Sequence, residues 1–100
     1  MVGVIASFAD AATEDLFNGI DSRRARSACP MSIWPVVRRT LTQINRVRAV
    51  SELAIPPGNR LEALRGDRAG QHSIRINEQY RICFRWEGDH ATDVEVTGYH

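Results

Sequence analysis

The residues best suited to chemistry lie at the end of the chain, where "DVEVTGYH" finishes on Tyr99-His100. An imidazole, with a reference pKa of about 6.5, takes up or releases a proton near neutrality. Upstream, Arg75 and Arg81 stand in alternating apolar–polar segments, and guanidinium forks suit phosphate oxygens. With a phenol beside them they can hold phosphates and stack a base. RNA brings its own nucleophile, the 2′-OH. A metal-free nuclease then needs alignment of that hydroxyl, positive charge on the developing pentacoordinate phosphate, and proton transfer. Arg75 and Arg81 can supply the charge and His100 the proton transfer, while Tyr99 can stack, hydrogen-bond or assist the acid–base step.

These residues must be positioned by the second half of the chain, which reads as β. "HSIRI", "YRICFRW" and "TDVEVTGY" alternate and are separated by turn signals at Asn77-Glu78 and Glu87-Gly88-Asp89. Successive strand residues point to opposite faces. Ile74, Ile76, Ile82, Phe84, Val94 and Val96 therefore make the core face. Ser73, Arg75, Arg81, Cys83, Arg85, Glu95, Thr97 and Tyr99 share the other. By strict alternation His100 falls on the core side, away from Tyr99, unless Gly98 lets the end twist.

The first half reads as helical after a short opening strand in "VGVIASF". Ser7 is the expected N-cap of a helix carrying Asp10 in its first turn and Phe8, Ala11, Ala12 and Leu16 on one face; "NG" at 18–19 ends it. Ser32 is the expected cap of a second helix with Pro35 in its first turn, burying Trp34, Val37, Leu41 and Ile44. "AVSEL" adds a further turn before the breaker "IPPGN". The expected fold is α+β: a single domain over residues 1–100, with an N-terminal strand, two helices on one sheet face and a C-terminal three-strand meander.

Composition agrees with one small globular domain: 100 residues, 43% hydrophobic and 25% charged. No apolar run approaches the roughly 18 residues of a membrane span. The opening lacks the basic start of a secretory signal. Cys29 and Cys83 lie far apart and suggest neither a disulfide scaffold nor a metal site. A cytoplasmic protein without cofactor or metal is expected. The net charge of +1 conceals segregation, since all 13 basic residues are arginine, and residues 22–51 carry seven of them and no acid. Genomic base composition is the plainer reading of the arginine bias. The basic stretch is nevertheless a footprint for nucleic acid or for an acidic protein.

Each assignment has a plainer competitor. Arg81 can pair with Glu78 or Glu95, Arg85 with Glu95, and a terminal histidine can be disordered. His72 and His90 adjoin turns and read as solvated. Cys83 would have a lowered pKa beside its arginines if exposed, yet no His or Asp stands at a nucleophile's spacing. No phosphate-binding glycine loop, zinc-ligand spacing or carboxylate cluster suited to Mg²⁺ stands out.

The string "PPGNRLEALRGDRAGQHSIRINEQYRICFRW", with "IASFADAATEDLFNG" before it and the final "YH", closely resembles HigB-type toxins of the RelE/ParE toxin–antitoxin superfamily. The resemblance spans nearly the whole chain. It implies a RelE/ParE-like sheet covered by helices on one face. It also implies ribosome-dependent endoribonuclease activity, an mRNA interferase that cuts messenger RNA in the decoding site and stops translation. Its implied partners are the ribosome, mRNA and a HigA-type helix-turn-helix antitoxin, through which the toxin reaches operator DNA. Onto this sequence the family's catalytic positions fall at Arg65, Arg75, Arg81, Tyr99 and His100. Arg38, Arg39, Arg46, Arg68 and Arg85 are the arginines expected to meet RNA or the ribosome, although the 22–51 segment can equally receive an acidic antitoxin.

Two positions depart from the pattern. Arg65 stands where these toxins usually have lysine, keeping charge but losing a group able to shed a proton. Gly98 stands where Asp-Tyr-His is the usual ending, removing a carboxylate that would position the histidine or share its proton. Reduced cleavage is the expectation. Two alternatives remain: a non-catalytic ParE-like inhibitor of DNA gyrase, and an attenuated toxin acting mainly in antitoxin binding and operon regulation.

Overall fold

A computed structural model describes residues 3–98. It contains three helices, α1 (Ala11–Asn18), α2 (Arg23–Ala28) and α3 (Trp34–Ile44), followed by short 3-10 turns and four strands. The strands β1 (Glu62–Ala63), β2 (Gln71–Arg75), β3 (Tyr80–Glu87) and β4 (His90–Gly98) form an antiparallel sheet in chain order.

The expected opening strand is not regular. Residues 4–9 instead run beside β4 and make two isolated parallel bridges, Ile5 with Ala91 and Phe8 with Val94. Ser7, expected to cap α1, is used elsewhere: its Oγ accepts from the Asp93 amide at 3.0 Å, closing the edge of β4. Asp10 caps the helix, accepting from Thr13 N at 2.8 Å. Gly19, at φ 74°, terminates α1 in the left-handed conformation that glycine adopts without penalty. The buried Thr13 Oγ1 accepts from the Val96 amide at 3.1 Å and fastens the helix to β4.

The second correction is α2. The arginine-rich stretch was expected to link two helices, but Ser22 caps it, accepting from Ala25 N at 3.1 Å, and it becomes a third helix. Asp15, which is buried, accepts from Ser22 Oγ at 2.6 Å and from Arg24 Nε and Nη at 2.6 and 3.1 Å. These bonds hold α2 on α1 and keep the Asp15 carboxyl below its ordinary pKa, with the Arg24 hydrogen bonds the largest cause. Arg26 pairs with Asp21. Charge segregated along the chain is thus partly neutralised in space.

In α3 Pro35 does occupy the first turn, but Ser32 lies in the 3-10 turn Met31–Ile33 and makes no cap bond. Val37, Leu41 and Ile44 are fully buried, and Trp34 packs on the core while its indole N–H donates to Cys29 O at 3.2 Å. Their partners on the sheet are Ile74, Ile82, Phe84 and Val94, all fully buried. Alternation therefore identified the core face. It breaks at one place: a bulge opposite Phe84, where Asp93 takes φ 52°, moves the register from Cys83–Glu95 to Arg85–Thr92. The extra residue reverses parity, so Ala91 and Val94 are both buried.

Candidate active site

Directly opposed residues of an antiparallel sheet share a face, so the register arranges the non-core face in three rows. The row nearest the end of β4 is Arg75–Arg81–Thr97. The middle row is Glu62–Ser73–Cys83–Glu95, and the third is Gln71–Arg85–Thr92.

The middle row is closed to solvent at its centre, with Ser73 and Cys83 buried. Arg68, from the 3-10 turn Gly66–Arg68, reaches over it to Gln71 Oε1 at 3.0 Å and Glu95 Oε1 at 3.2 Å. Burial pushes the Cys83 thiol above its ordinary pKa, outweighing the opposing fields of Arg81 and Arg68. That is the wrong direction for a nucleophile. The expected Arg85–Glu95 pair does not form; Glu95 takes Arg68, and Arg85 lies 3.8 Å from Asp93 across the bulge.

The first row is different, because two guanidinium side chains stand directly opposite and the row contains no carboxylate. Like charges so placed cost stability unless an anion lies between or over them. Arg75 is half-buried, and its Nε donates to Asn77 O at 3.2 Å; no carboxylate among the described residues forms an ion pair with it. Asn77 organises the hairpin, its Oδ1 accepting from the amides of Gln79 and Tyr80 at 2.8 Å each. The turn signal at Asn77 was legible in the sequence; its carbonyl contact with Arg75 was not, because it depends on the path of a long side chain. Arg81 is half-buried with its Nε enclosed.

The structure thus brings Arg75 and Arg81 together and ends β4 beside them, with Thr97 opposite Arg81 and Gly98 opposite Tyr80. Tyr99 and His100 lie outside the described residues. Arg65 is exposed in the connection between β1 and the Gly66–Arg68 turn, in extended conformation. A cavity of about 400 Å³ lies beside Arg75, lined also by Arg60, Glu62 and Glu78, none of which the sequence had singled out. The Glu62 carboxylate enters it through the short strand β1, too brief to stand out as a pattern. His72, expected to be solvated, is instead half-buried and stacked on Phe84 with ring centroids 5.9 Å apart. His90 is paired with Asp89 at 3.2 Å. Among the described residues no group of three His, Cys, Asp or Glu side chains is placed to hold a metal ion.

Arg38, Arg39 and Arg46 are exposed and gather elsewhere, along a groove beside α3 that Arg75 also lines. Arg68 and Arg85 are not part of that groove.

The model of HigB-like toxins, RelE-like toxins of type II toxin–antitoxin systems, matches residues 6–100. The chain belongs to the HigB-like toxin family. Over 66 residues it is 46% identical to Toxin HigB-1 of Vibrio cholerae serotype O1, covering 66% of this chain and 68% of that one. Over 68 residues it is 31% identical to an uncharacterized protein of Haemophilus influenzae, covering 68% of this chain and 67% of that one. A toxin of a type II system has an antitoxin as its partner, and this HigB-type toxin sets Arg75 and Arg81 directly opposite each other in its sheet. No helix of the described residues is long and apolar enough to cross a membrane.

Proposed function

We propose that this HigB-type toxin is a metal-independent endoribonuclease that cleaves mRNA on the ribosome and so stops translation. The observation that carries the reading is the first row, where the register sets Arg75 and Arg81 directly opposite each other across β2 and β3. A phosphodiester laid over that row gains charge-assisted hydrogen bonds from two adjacent guanidiniums.

In the proposed reaction the 2′-OH attacks phosphorus and the P–O5′ bond breaks, leaving a 2′,3′-cyclic phosphate and a 5′-hydroxyl. Arg75 and Arg81 bind the phosphate and stabilise the extra negative charge of the transition state, with Arg65 adding a third cation from its exposed loop. His100 exchanges a proton with the attacking or leaving oxygen, and Tyr99 orients or stacks the nucleotide. Because this equipment is sparse, the ribosome completes the site by bending the mRNA into attack geometry. The antitoxin is of the HigA helix-turn-helix type and supplies the contact with operator DNA.

A second reading, an attenuated toxin acting mainly through its antitoxin, is favoured by Gly98 alone. Both are tested by mRNA cleavage on purified ribosomes. Wild type is expected to cut ribosome-bound mRNA and leave naked RNA intact. His100→Ala and Arg81→Ala are expected to lower cleavage by about 10²–10³-fold, the usual effect of removing one transition-state donor. Efficient cutting of a free oligonucleotide, or growth inhibition untouched by His100→Ala, overturns the enzymatic reading. Growth inhibition with no detectable cleavage by wild type leaves a binding function.

A further inference from the structure

We propose that the groove between α3 and the 55–59 loop is a track for single-stranded RNA, gripping phosphates that flank the one cleaved. The groove encloses about 1020 Å³ and is lined by four arginines, Arg38, Arg39, Arg46 and Arg75. Its one carboxylate, Glu52, is engaged by the amides of Arg48 and Ala49, at 2.8 Å each. None of the four guanidiniums forms an ion pair with a described residue. On α2, by contrast, Arg24 and Arg26 are paired with Asp15 and Asp21. Two of the three arginines of α2 are therefore neutralised, whereas Arg38 and Arg39 on α3 are left open.

The wall opposite α3 is preformed. Gln43 Nε2 donates to Ile55 O at 2.6 Å, and Asn59 Nδ2 donates to Gln43 Oε1 and Leu53 O, each at 3.1 Å. A wall fixed in this way needs no rearrangement when a ligand enters, so that only the arginine side chains must be ordered. Arg75 belongs both to the groove and to the row proposed to hold the scissile phosphate. A polynucleotide seated on that row reaches, through Arg75, the groove that Arg38, Arg39 and Arg46 also line.

An acidic protein segment is the competing occupant, and the continuity of the groove with the Arg75–Arg81 row favours RNA over it. The apolar side chains Phe17, Val36, Val47 and Ile76 that line this groove are buried or half-buried, whereas Arg38, Arg39 and Arg46 are exposed along it. Guanidinium planes, which accept stacked bases and grip phosphates, are its main resource.

The proposal rests on the ribonuclease reading for the identity of its occupant, and the test separates the two. The probe is a fluorescent 2′-O-methyl RNA of about ten nucleotides, within the range single-strand grooves accept. Its binding is followed by anisotropy between about 50 and 200 mM salt. Each single-strand phosphate neutralised contributes about −0.7 to the slope of log K against log salt. Arg38→Gln/Arg39→Gln/Arg46→Gln is therefore expected to flatten the slope by about 2 and weaken low-salt binding at least about tenfold. Restoring charge with lysine at the three positions should restore the slope. The exposed-site control Arg23→Gln/Arg26→Gln/Arg48→Gln, with the same loss of charge, should leave most of it. Equal losses in the two triple variants mean unspecific attraction and overturn the track, as does wild-type binding by the groove variant. Loss of antitoxin binding with RNA binding intact makes the groove a protein interface instead. If ribosomal cleavage fails in wild type while oligonucleotide binding still depends on the groove, the catalytic reading falls and the track stands.

Discussion

Gly98 lies opposite Tyr80 in the last pair of the sheet, one residue beyond the Arg81–Thr97 pair. Its replacement separates a hinge from a missing acid. The backbone there is outside the left-handed region, and a Cβ built on it meets Gln79 O at 3.5 Å, an ordinary contact. Among the described residues nothing local therefore requires glycine. Glycine within a strand costs about 0.5–1 kcal/mol relative to alanine. A domain of this size moves its Tm by about 4–8 °C per kcal/mol, so Gly98→Ala should melt roughly 2–8 °C higher. Alanine restores stiffness without a carboxylate and should leave cleavage unchanged. Gly98→Asp adds the carboxylate. A positioned acid or base is worth about 10²–10⁴-fold, and one that only supports an existing histidine supplies a small part of that. Cleavage on ribosomes and growth inhibition should rise on the order of tenfold, equivalent to about 1.4 kcal/mol of barrier. Thermal melts, growth curves and ribosomal cleavage of the three proteins give the answer. An aspartate variant no faster than the alanine variant refutes the missing-acid argument. An alanine variant that melts higher but cleaves less shows that the glycine is a working hinge.

Thr13→Val keeps the shape of a buried side chain but leaves the Val96 amide without its acceptor. Stability should fall by about 1–3 kcal/mol, read from denaturant unfolding, and a neutral result shows that another group takes the bond. Asp15, whose folded pKa is depressed by Arg24 and Ser22, contributes fully above the unfolded value of about 3.9 and progressively less as pH falls below it. Wild type should accordingly lose Tm below that pH more steeply than Asp15→Asn, which starts lower at neutrality; equal acid slopes in calorimetry contradict this. Arg68→Ala should uncover Cys83 and speed its labelling by a disulfide reagent, because burial is the largest cause of the raised thiol pKa. An unchanged rate means that Arg68 is not the cover.

The Arg68 and Asp15 predictions both concern partners on different elements, and such partners were the least legible feature of the sequence. Residues 22–51 looked uniformly basic because charge was counted by position. Arg24 finds Asp15 only because Ser22 starts a helix and folds it back onto α1. Short-range devices also competed: Ser7 and Asp10 are both good caps, and the demands of the β4 edge drew Ser7 away.

What the sequence determined alone was everything periodicity controls. Period-two alternation in β2 and β3 placed Ile74, Ile82 and Phe84 inside and Arg75, Arg81 and Arg85 on the other face. Helical spacing likewise buried Val37, Leu41 and Ile44. The lettering of the Pro56–Trp86 stretch carried the family resemblance. Only the tertiary structure decided which arginines keep their charge available, since neutralisation depends on distances between segments remote in sequence. Sheet register set Arg75 against Arg81, a loop carried Arg68 to Glu95, and the packing of α3 opposite the 55–59 loop opened a groove that Arg75 shares. Local pattern dictates which face a side chain takes, and long-range packing dictates what it meets there.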